Sequence, residues 1–270
     1  MVDRIHPYSS YQNFQSTVVG FDDGLQQPPP QPILPLQQGE IRYPNGNIYE
    51  GELLNGEAHG NGTMRYFNGD SYQGEWRNDS KHGRGTYHYS NGDIYEGEWI
   101  NDRRDGDGTL RFANGDVYEG KWRNDLTSVG KYRCVNGNLY VGHFEDGRPN
   151  GIGIAVFYNG DIYLGDWESN VIHGIGKYLF ASGDIYEGEW RSGKRDGHGK
   201  MCYADGKTYV GEWKDGSHHG QGRLQYADDK PLEGQWQNGR FLGDQTSSHP
   251  MTRQKRPADE ISSDQQSSEE

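Results

Sequence analysis

The sequence is short of cysteine, of basic residues and of long apolar runs, and each shortage excludes a class of protein. Two cysteines among 270 residues do not form a disulfide framework, so we expect a reduced protein of the cytoplasm. No apolar run approaches the roughly 20 residues of a membrane-spanning helix, and no signal peptide is visible. The net charge of −13 argues against nucleic acid as a partner, because phosphate binding needs a basic stripe.

Glycine, in contrast, is abundant, and all but two of its 41 copies follow a repeat of 23 residues. Each unit has an anchor tyrosine, a glycine two residues later and, in most units, a tryptophan two residues after that. The anchor tyrosines are Tyr49, Tyr72, Tyr95, Tyr118, Tyr140, Tyr163, Tyr186 and Tyr209. A repeat of this length is typical of stacked-repeat proteins. A hydrophobic content of 31% fits a sheet with one aromatic face better than a thick core of two layers.

The residues alternate in type along each half of the unit, and this period of two predicts strands. Asn-Gly pairs such as Asn68-Gly69 separate the alternating runs and predict two-residue hairpin turns. We expect the other connection to be a longer loop, for example over residues 77–82. Glycines on the aromatic face would leave a floor for the rings, so Gly97→Val should cost more than strand propensity indicates.

The units resemble the MORN repeat (membrane occupation and recognition nexus). Tyr95-Glu96-Gly97-Glu98-Trp99 followed by Asp105-Gly106-Asp107-Gly108 shows the pattern. The resemblance implies an all-β fold, an elongated single-layer twisted antiparallel sheet of 23-residue β-hairpin repeats. We predict three parts: a Pro/Gln-rich disordered tail over 1–38, an array of about eighteen strands over 39–243, and a disordered acidic, Ser-rich tail over 244–270.

Repeat four departs from the pattern. The spacing from Tyr118 to Tyr140 is one residue short, and Ser128 stands where the first loop glycine belongs. We expect a local bulge or kink at that point.

Several residues imitate catalytic or metal-binding motifs. His59, His82, His173 and His219 share one slot, but adjacent repeats lie about 10 Å apart whereas zinc needs its ligands within about 2.1 Å. We interpret that slot as hydrogen bonding of a turn backbone. The glutamates beside the anchors, such as Glu96 and Glu98, are interpreted as ordinary charge on the solvent face. We therefore predict no catalytic residue, no metal site, no cofactor and no enzyme activity.

One group of residues breaks the repeat on the face opposite the aromatic rings. Most units are polar there, whereas repeats five and six are apolar. The outer-face patch consists of Val141, Ile152, Ile154, Val156, Leu164, Ile175 and Leu179. Exposed apolar patches mark binding surfaces, so we predict contact with a protein partner or a second copy. The alternative is that a tail covers the patch, for example through Ile33-Leu34-Pro35-Leu36.

The resemblance implies a non-catalytic protein-interaction scaffold, cytoskeletal or ciliary and axonemal, since proteins with such repeats include radial-spoke heads. Other proteins with such repeats are membrane-junction proteins such as junctophilins. One alternative is a peripheral tether that binds anionic phospholipid such as phosphoinositides. Its candidate loop edge consists of Arg103, Arg104, Lys194 and Arg195. A second alternative is a regulatory subunit of a separate enzyme.

Overall fold

The computed structural model describes residues 35–226 and 229–244, and its regular structure is entirely β-strand. The strands are β1 Gln37–Arg42, β2 Ile48–Leu54, β3 Glu57–Arg65, β4 Ser71–Arg77, β5 Ser80–His88, β6 Ile94–Ile100, β7 Arg103–Arg111, β8 Val117–Arg123, β9 Leu126–Arg133, β10 Leu139–Glu145, β11 Arg148–Val156, β12 Ile162–Glu168, β13 Val171–Leu179, β14 Ile185–Arg191, β15 Lys194–Cys202, β16 Thr208–Lys214, β17 Ser217–Gln225, β18 Leu232–Gln237 and β19 Arg240–Gly243. Each strand pairs antiparallel with its neighbours in sequence, which makes one open sheet and confirms the predicted fold class.

The array that was predicted over 39–243 corresponds to a sheet that runs from Gln37 to Gly243. It has nineteen strands, one more than the sequence indicates. The two predicted tails lie almost wholly outside the described residues. Ile33 and Leu34 of the candidate covering segment lie outside them too, whereas Leu36 is described and exposed. Within the described part of the chain, no helix is long and apolar enough to cross a bilayer.

The core of the sheet is a ladder of alternating tyrosine and tryptophan rings on one face, which we call the aromatic face. Trp76 meets the edges of two anchor rings, Tyr49 at 5.3 Å and Tyr72 at 5.2 Å between centroids. Tyr49 and Tyr72 are fully buried although the sheet has a single layer. Edge-to-face pairs of this kind add about 0.5–1.5 kcal/mol each beyond area burial. The ladder therefore joins each repeat to the next.

Glycine provides the floor on which the anchor rings lie. The glycines of paired strands face each other, as Gly97 faces Gly108. A Cβ atom on Gly97 would stand 2.6 Å from the Gly108 Cα and even closer to the Tyr95 hydroxyl. That hydroxyl donates to the Glu98 carbonyl at 3.1 Å, which satisfies a polar group beneath the ring. Glycine is therefore required at these positions, because there is no room for a Cβ atom between the paired backbone and the ring.

The two kinds of connection are the reverse of the prediction. The segment expected to be a long loop is a two-residue turn, since β4 ends at Arg77 and β5 begins at Ser80. Asn78 and Asp79 both have positive φ, +48° and +61°, as a type I′ turn requires. The Asn68-Gly69 connection is the longer one, because its closing pair is Tyr66 and Asp70 and only the glycine has positive φ.

The expected bulge at Ser128 is no special feature of repeat four. Every regular unit has a wide bulge there, and in β7 three residues from Asp105 to Asp107 stand opposite the single Glu98. In repeat four only two residues, Ser128 and Val129, stand opposite Lys121. The missing residue makes this bulge smaller than the others. The backbone at Ser128 consequently stays out of the positive-φ region that Gly106 occupies at +111°.

The bulges also correct the interpretation of the glutamates. Glu189 accepts a hydrogen bond from the backbone N–H of His198 at 2.7 Å, and Glu212 accepts one from Gln221 at 2.8 Å. Glu52, Glu75, Glu98 and Asp166 accept the equivalent bulge N–H. These carboxylates therefore stabilise the bulge and are more than ordinary surface charge. Repeat four, whose bulge is small, has Lys121 in this slot.

This arrangement predicts different effects for two neighbouring glutamates. Glu189→Ala should lower the free energy of unfolding by about 1 kcal/mol, because a charge-assisted hydrogen bond to the bulge is lost. Glu187→Ala is the matched control on the same strand and face, and it should change stability by less than about 0.5 kcal/mol. Urea denaturation of the two variants measures the difference. Equal effects would mean that the bulge does not depend on the carboxylate.

Aspartates tie consecutive Asn-Gly connections together. Asp161 accepts the backbone N–H of Ala181 at 2.7 Å and the hydroxyl of Tyr178 at 2.8 Å. Asp70 and Asp116 make the same two contacts. The pKa of Asp70 is lowered, since the hydrogen bonds that its carboxylate accepts outweigh the opposing effect of desolvation. The acidic residues of this edge are therefore used within the fold.

Candidate functional site

The outer-face patch lies where the sequence places it, on the face opposite the ring ladder. Ile154 pairs with Val141 on one side and Leu164 on the other. Val156 pairs with Leu139 and Ile162 one step nearer the Asn-Gly connections. Ile152 and Ile175 are the most exposed members, at 61% and 68%, whereas Leu179 is half-buried. The register thus joins five of the seven residues into one apolar surface across β10 to β13, namely Val141, Ile154, Val156, Leu164 and Leu179. Ile152 pairs with Asp166 and Ile175 with Glu189, so these two residues lie beside carboxylates.

The borders of the patch are charged. On the β9 side Lys131 pairs with Val141. On the other side Leu164 pairs with Lys177, which in turn pairs with Glu187 on β14. The Lys177 ammonium and the Glu187 carboxylate lie 3.8 Å apart and both are exposed. An apolar centre with a polar rim is the usual anatomy of a protein–protein interface.

The opposite face of the same strands contains a cavity of about 580 Å³ that the sequence analysis missed. Its lining includes Cys134, Phe144, Ala155, Phe157 and Trp167. Ala155 and Cys134 are the smallest residues in their slots, where other repeats place larger residues such as Tyr178 and Phe180. The cavity therefore arises from small residues in neighbouring repeats, and the signal was present in the sequence.

One polar atom at this cavity, the Trp167 indole nitrogen, lacks the partner that most other indole nitrogens of the ladder have. The indole N–H of Trp76 donates to the Gly62 carbonyl at 3.2 Å, and most other indoles do the same. The Trp167 Nε1 is buried and has no hydrogen-bond partner among the described residues. Burial and the nearby charge of Asp116 raise the pKa of the Cys134 thiol. A buried donor without an acceptor is costly, so the cavity offers an incoming group a hydrogen bond.

The four cations of the candidate lipid edge do not form one site. Arg104 lies on the aromatic face with its guanidinium 4.1 Å from the Trp122 ring centroid, and it pairs with Asp125 at 3.0 Å. Arg195 lies over Trp213 in the same way, at 4.6 Å.

The other two cations remain at the edge of the sheet. Arg103 is exposed, and Lys194 pairs with Asp215 at 3.2 Å. The two pairs of residues stand eight strands apart, roughly 38 Å at the usual strand spacing. The edge that holds them is the edge of the two-residue turns, and it is not made of long loops.

His218 fills the slot that Arg104 and Arg195 occupy in other repeats, and the sequence analysis did not single it out. Its ring stacks on Tyr209 at 3.6 Å, and its Nε2 lies 3.0 Å from the Tyr203 hydroxyl. Burial, together with the positive charges of Arg195 and Lys207, lowers the pKa of His218 to about 4. This histidine is therefore neutral at physiological pH and acts as a packing residue.

The histidines that the sequence places in one slot contribute their backbone. The His59 carbonyl accepts the Tyr49 hydroxyl at 3.2 Å, and the His219 carbonyl accepts the Tyr209 hydroxyl at 3.3 Å. Asp105 in the same slot accepts the turn N–H of Asn124 at 3.1 Å, as the sequence interpretation expects. Over residues 35–226 and 229–244, no three His, Cys, Asp or Glu side chains converge as a metal site would need.

Comparison with known families identifies the repeat. The family model of the MORN repeat matches eight consecutive segments, 49–71, 72–94, 95–117, 118–139, 140–162, 163–185, 186–208 and 209–229. Together they cover more than half of the chain. The chain belongs to the MORN-repeat family. Each MORN segment begins at an anchor tyrosine or its equivalent position in the register, and the fourth is one residue short, as the sequence indicates.

Among solved structures, the MORN array is similar to the TCP10 domain of Danio rerio CPAP, at 17% identity and a TM-score of 0.40 over 73% of this chain and 100% of that one. The same domain in complex with a peptide of Danio rerio STIL is 16% identical, with a TM-score of 0.41 over 74% of this chain and 100% of that one. The SAS-4 TCP domain of Drosophila melanogaster, in complex with a proline-rich motif of Ana2, is 18% identical, with a TM-score of 0.28 over 69% of this chain and 96% of that one. A search of curated proteins found no match.

Proposed function

We propose that this MORN protein is a non-catalytic scaffold that binds other proteins through the outer-face patch. The exposed apolar surface across β10 to β13 carries the proposal, because six of its seven residues are exposed on a face that is polar in most other repeats. Removing such a surface from water on binding is favourable by about 25 cal/mol per Å². The rigid ladder beneath it holds the surface in one shape before a partner arrives, which lowers the entropy cost of binding.

Two features support a scaffold over an enzyme. Glu189, one of the glutamates that imitate catalytic acids, accepts a bulge N–H, and His59 and His219 of the shared slot contribute backbone carbonyls. The cavity on the aromatic face holds a thiol whose pKa is raised, which is the reverse of what an activated nucleophile needs. As finer parts of the proposal, we place the protein in the cytoplasm, in association with the cytoskeleton or cilium.

The test is affinity capture from cells with full-length wild type and two variants. Ile154→Asp combined with Leu164→Asp should abolish recovery of the partners, because it places two charges at the centre of the patch. Val210→Asp is the matched control, since Val210 is an exposed apolar residue on the same face of β16, outside the patch. The circular dichroism of all three proteins should be the same. Identical sets of partners for the patch variant and the control would remove the proposal.

The peripheral membrane tether is the alternative function. Two of its four cations, Arg104 and Arg195, lie over tryptophan rings on the aromatic face, which leaves less charge for a lipid surface. Co-sedimentation with phosphoinositide vesicles at physiological salt is its test. Absence of binding there removes this alternative and leaves the scaffold proposal intact.

A further inference from the structure

We propose that the outer-face patch takes a second copy of this chain, so that two sheets pack back to back. This inference rests on the proposed function, because it names the partner of the same surface. The charges at the two borders of the patch, on β9 and β14, and the register of the six strands from β9 to β14 support it.

One level of the outer face decides the geometry. The residues at this level, from β9 to β14, are Lys131, Val141, Ile154, Leu164, Lys177 and Glu187. The level is apolar at its centre, with a cation at its β9 end and an anion at its β14 end. A surface with opposite charges at its two ends complements a copy of itself that is turned around.

A twofold axis between two packed sheets relates the copies. When it runs along the strands, midway between β11 and β12, it exchanges β11 with β12, β10 with β13 and β9 with β14. Each residue then faces a residue at its own level. Face-to-face sheets pack with their strands within about 30° of each other, so the correspondence holds best near the axis.

At the central level and at the level nearer the Asn-Gly connections, the axis places apolar side chains mostly on apolar side chains, whereas Ile152 on the other side of the central level faces Asp166. Ile154 of one copy faces Leu164 of the other, and this pair occurs twice by symmetry. One level nearer the Asn-Gly connections, Leu139 faces Leu179 and Val156 faces Ile162. The one exception at the central level is Val141, which faces Lys177, whose methylene stem covers apolar surface while its ammonium group remains in water.

The border charges select this position of the axis. With the axis between β11 and β12, Lys131 of each copy faces Glu187 of the other. A shift of half a strand, with the axis along β11, would place Lys131 against Lys177, and like charges in an interface are strongly unfavourable. Apolar contact alone does not decide between the two positions, since an axis along β11 would face Ile154 with Ile154 and Val141 with Leu164. The border charges therefore select the axis between β11 and β12.

Sedimentation equilibrium of the full chain tests the inference. Wild type should show a reversible monomer–dimer equilibrium. Lys131→Glu and Glu187→Lys should each raise the dimer dissociation constant at least about ten-fold. Each substitution places like charges at positions 131 and 187, which face each other twice in the symmetric dimer. An equimolar mixture of the two single variants should recover association, because a glutamate faces a lysine at both contacts of the heterodimer. The double variant Lys131→Glu/Glu187→Lys should dimerise like wild type, because the charges are exchanged and opposite charges still face each other.

Glu96→Lys is the control, because Glu96 is an exposed outer-face charge on β6, away from the patch. A monomeric wild type at its highest soluble concentration overturns the dimer. The dimer is also overturned if the double variant associates as weakly as the two single variants, or if Glu96→Lys weakens association as much as they do. If wild type is monomeric but Ile154→Asp with Leu164→Asp still loses a captured protein, the scaffold proposal stands and only the second copy is wrong.

Discussion

Gly97→Val is expected to lower the free energy of unfolding by more than about 3 kcal/mol, or to prevent folding of repeats three and four. Valine is a better strand former than glycine, so strand propensity alone predicts a gain. We expect a loss of stability instead, because the structure leaves no room for a side chain at this position. A Cβ atom at this position would stand 2.6 Å from the Gly108 Cα and 2.7 Å from the Asp107 carbonyl oxygen, and neither backbone group moves without breaking the sheet. Urea denaturation followed by circular dichroism measures the loss.

Gly206→Ala is the control that separates space from backbone conformation. Gly206 has a φ of +90°, and no atom lies within 4 Å of the position that its Cβ would take. Alanine there should cost only the strain of positive φ, about 1–2 kcal/mol. Gly97 is not among the positive-φ glycines, so its substitution carries the steric cost alone. If Gly97→Val were no worse than Gly206→Ala, the glycine floor would have no energetic role.

The protein should unfold cooperatively between about pH 10 and pH 12. Burial raises the pKa of Tyr49, Tyr118 and Tyr140 to about 12, and the pKa of each of the other anchor tyrosines is raised for the same reason. Tyrosines of the unfolded chain ionise near pH 10. Above that pH the unfolded state binds fewer protons than the folded state, so the free energy of unfolding falls as pH rises.

Each anchor contributes about 1.4 kcal/mol per pH unit within this window. Because a domain is stable by only about 5–15 kcal/mol, eight anchors exceed that reserve within one to two pH units. Tyrosinate absorbance and the loss of strand signal in circular dichroism should therefore appear together. Below pH 10 these tyrosines are neutral in both states and leave stability unchanged.

Tyr163→Phe is the matched variant for the alkaline transition. It removes one ionisable group and the hydrogen bond to the Asp166 carbonyl at 3.0 Å. The free energy of unfolding at neutral pH should fall by about 1 kcal/mol. Above pH 10 it should decrease less steeply with pH than in wild type, because one ionisable tyrosine fewer contributes to the slope. Full tyrosinate absorbance near pH 10 with an unchanged sheet would contradict the burial of the anchors.

Residue types at single positions predicted the strands and their two faces well. Alternation of Tyr95, Gly97 and Trp99 determines which side of β6 is aromatic, because successive side chains of a strand point in opposite directions. The same rule placed Ile154 and Leu164 together on the outer face before any coordinates. The strand register agrees with this placement, since Ile154 on β11 pairs directly with Leu164 on β12.

The turns were predicted less well, because two signals compete. Asn68-Gly69 matches the strongest hairpin motif, yet Asn78-Asp79 forms the tight turn. Which pair closes in two residues depends on where each strand ends, and the register sets that. The role of Glu189 was missed for a related reason, since its bulge exists only once two strands are paired.

The sequence by itself determined the repeat, its family, the alternating strands and the apolar break in repeats five and six. All of these depend on residue type and on a period of two, which are local properties of the chain. Only the tertiary structure decided which connections are tight, which carboxylates stabilise the bulges, and that Cys134, Ala155 and Trp167 surround a cavity. Those features depend on the register between strands, because register brings together residues that are far apart in sequence and settles which polar groups find partners.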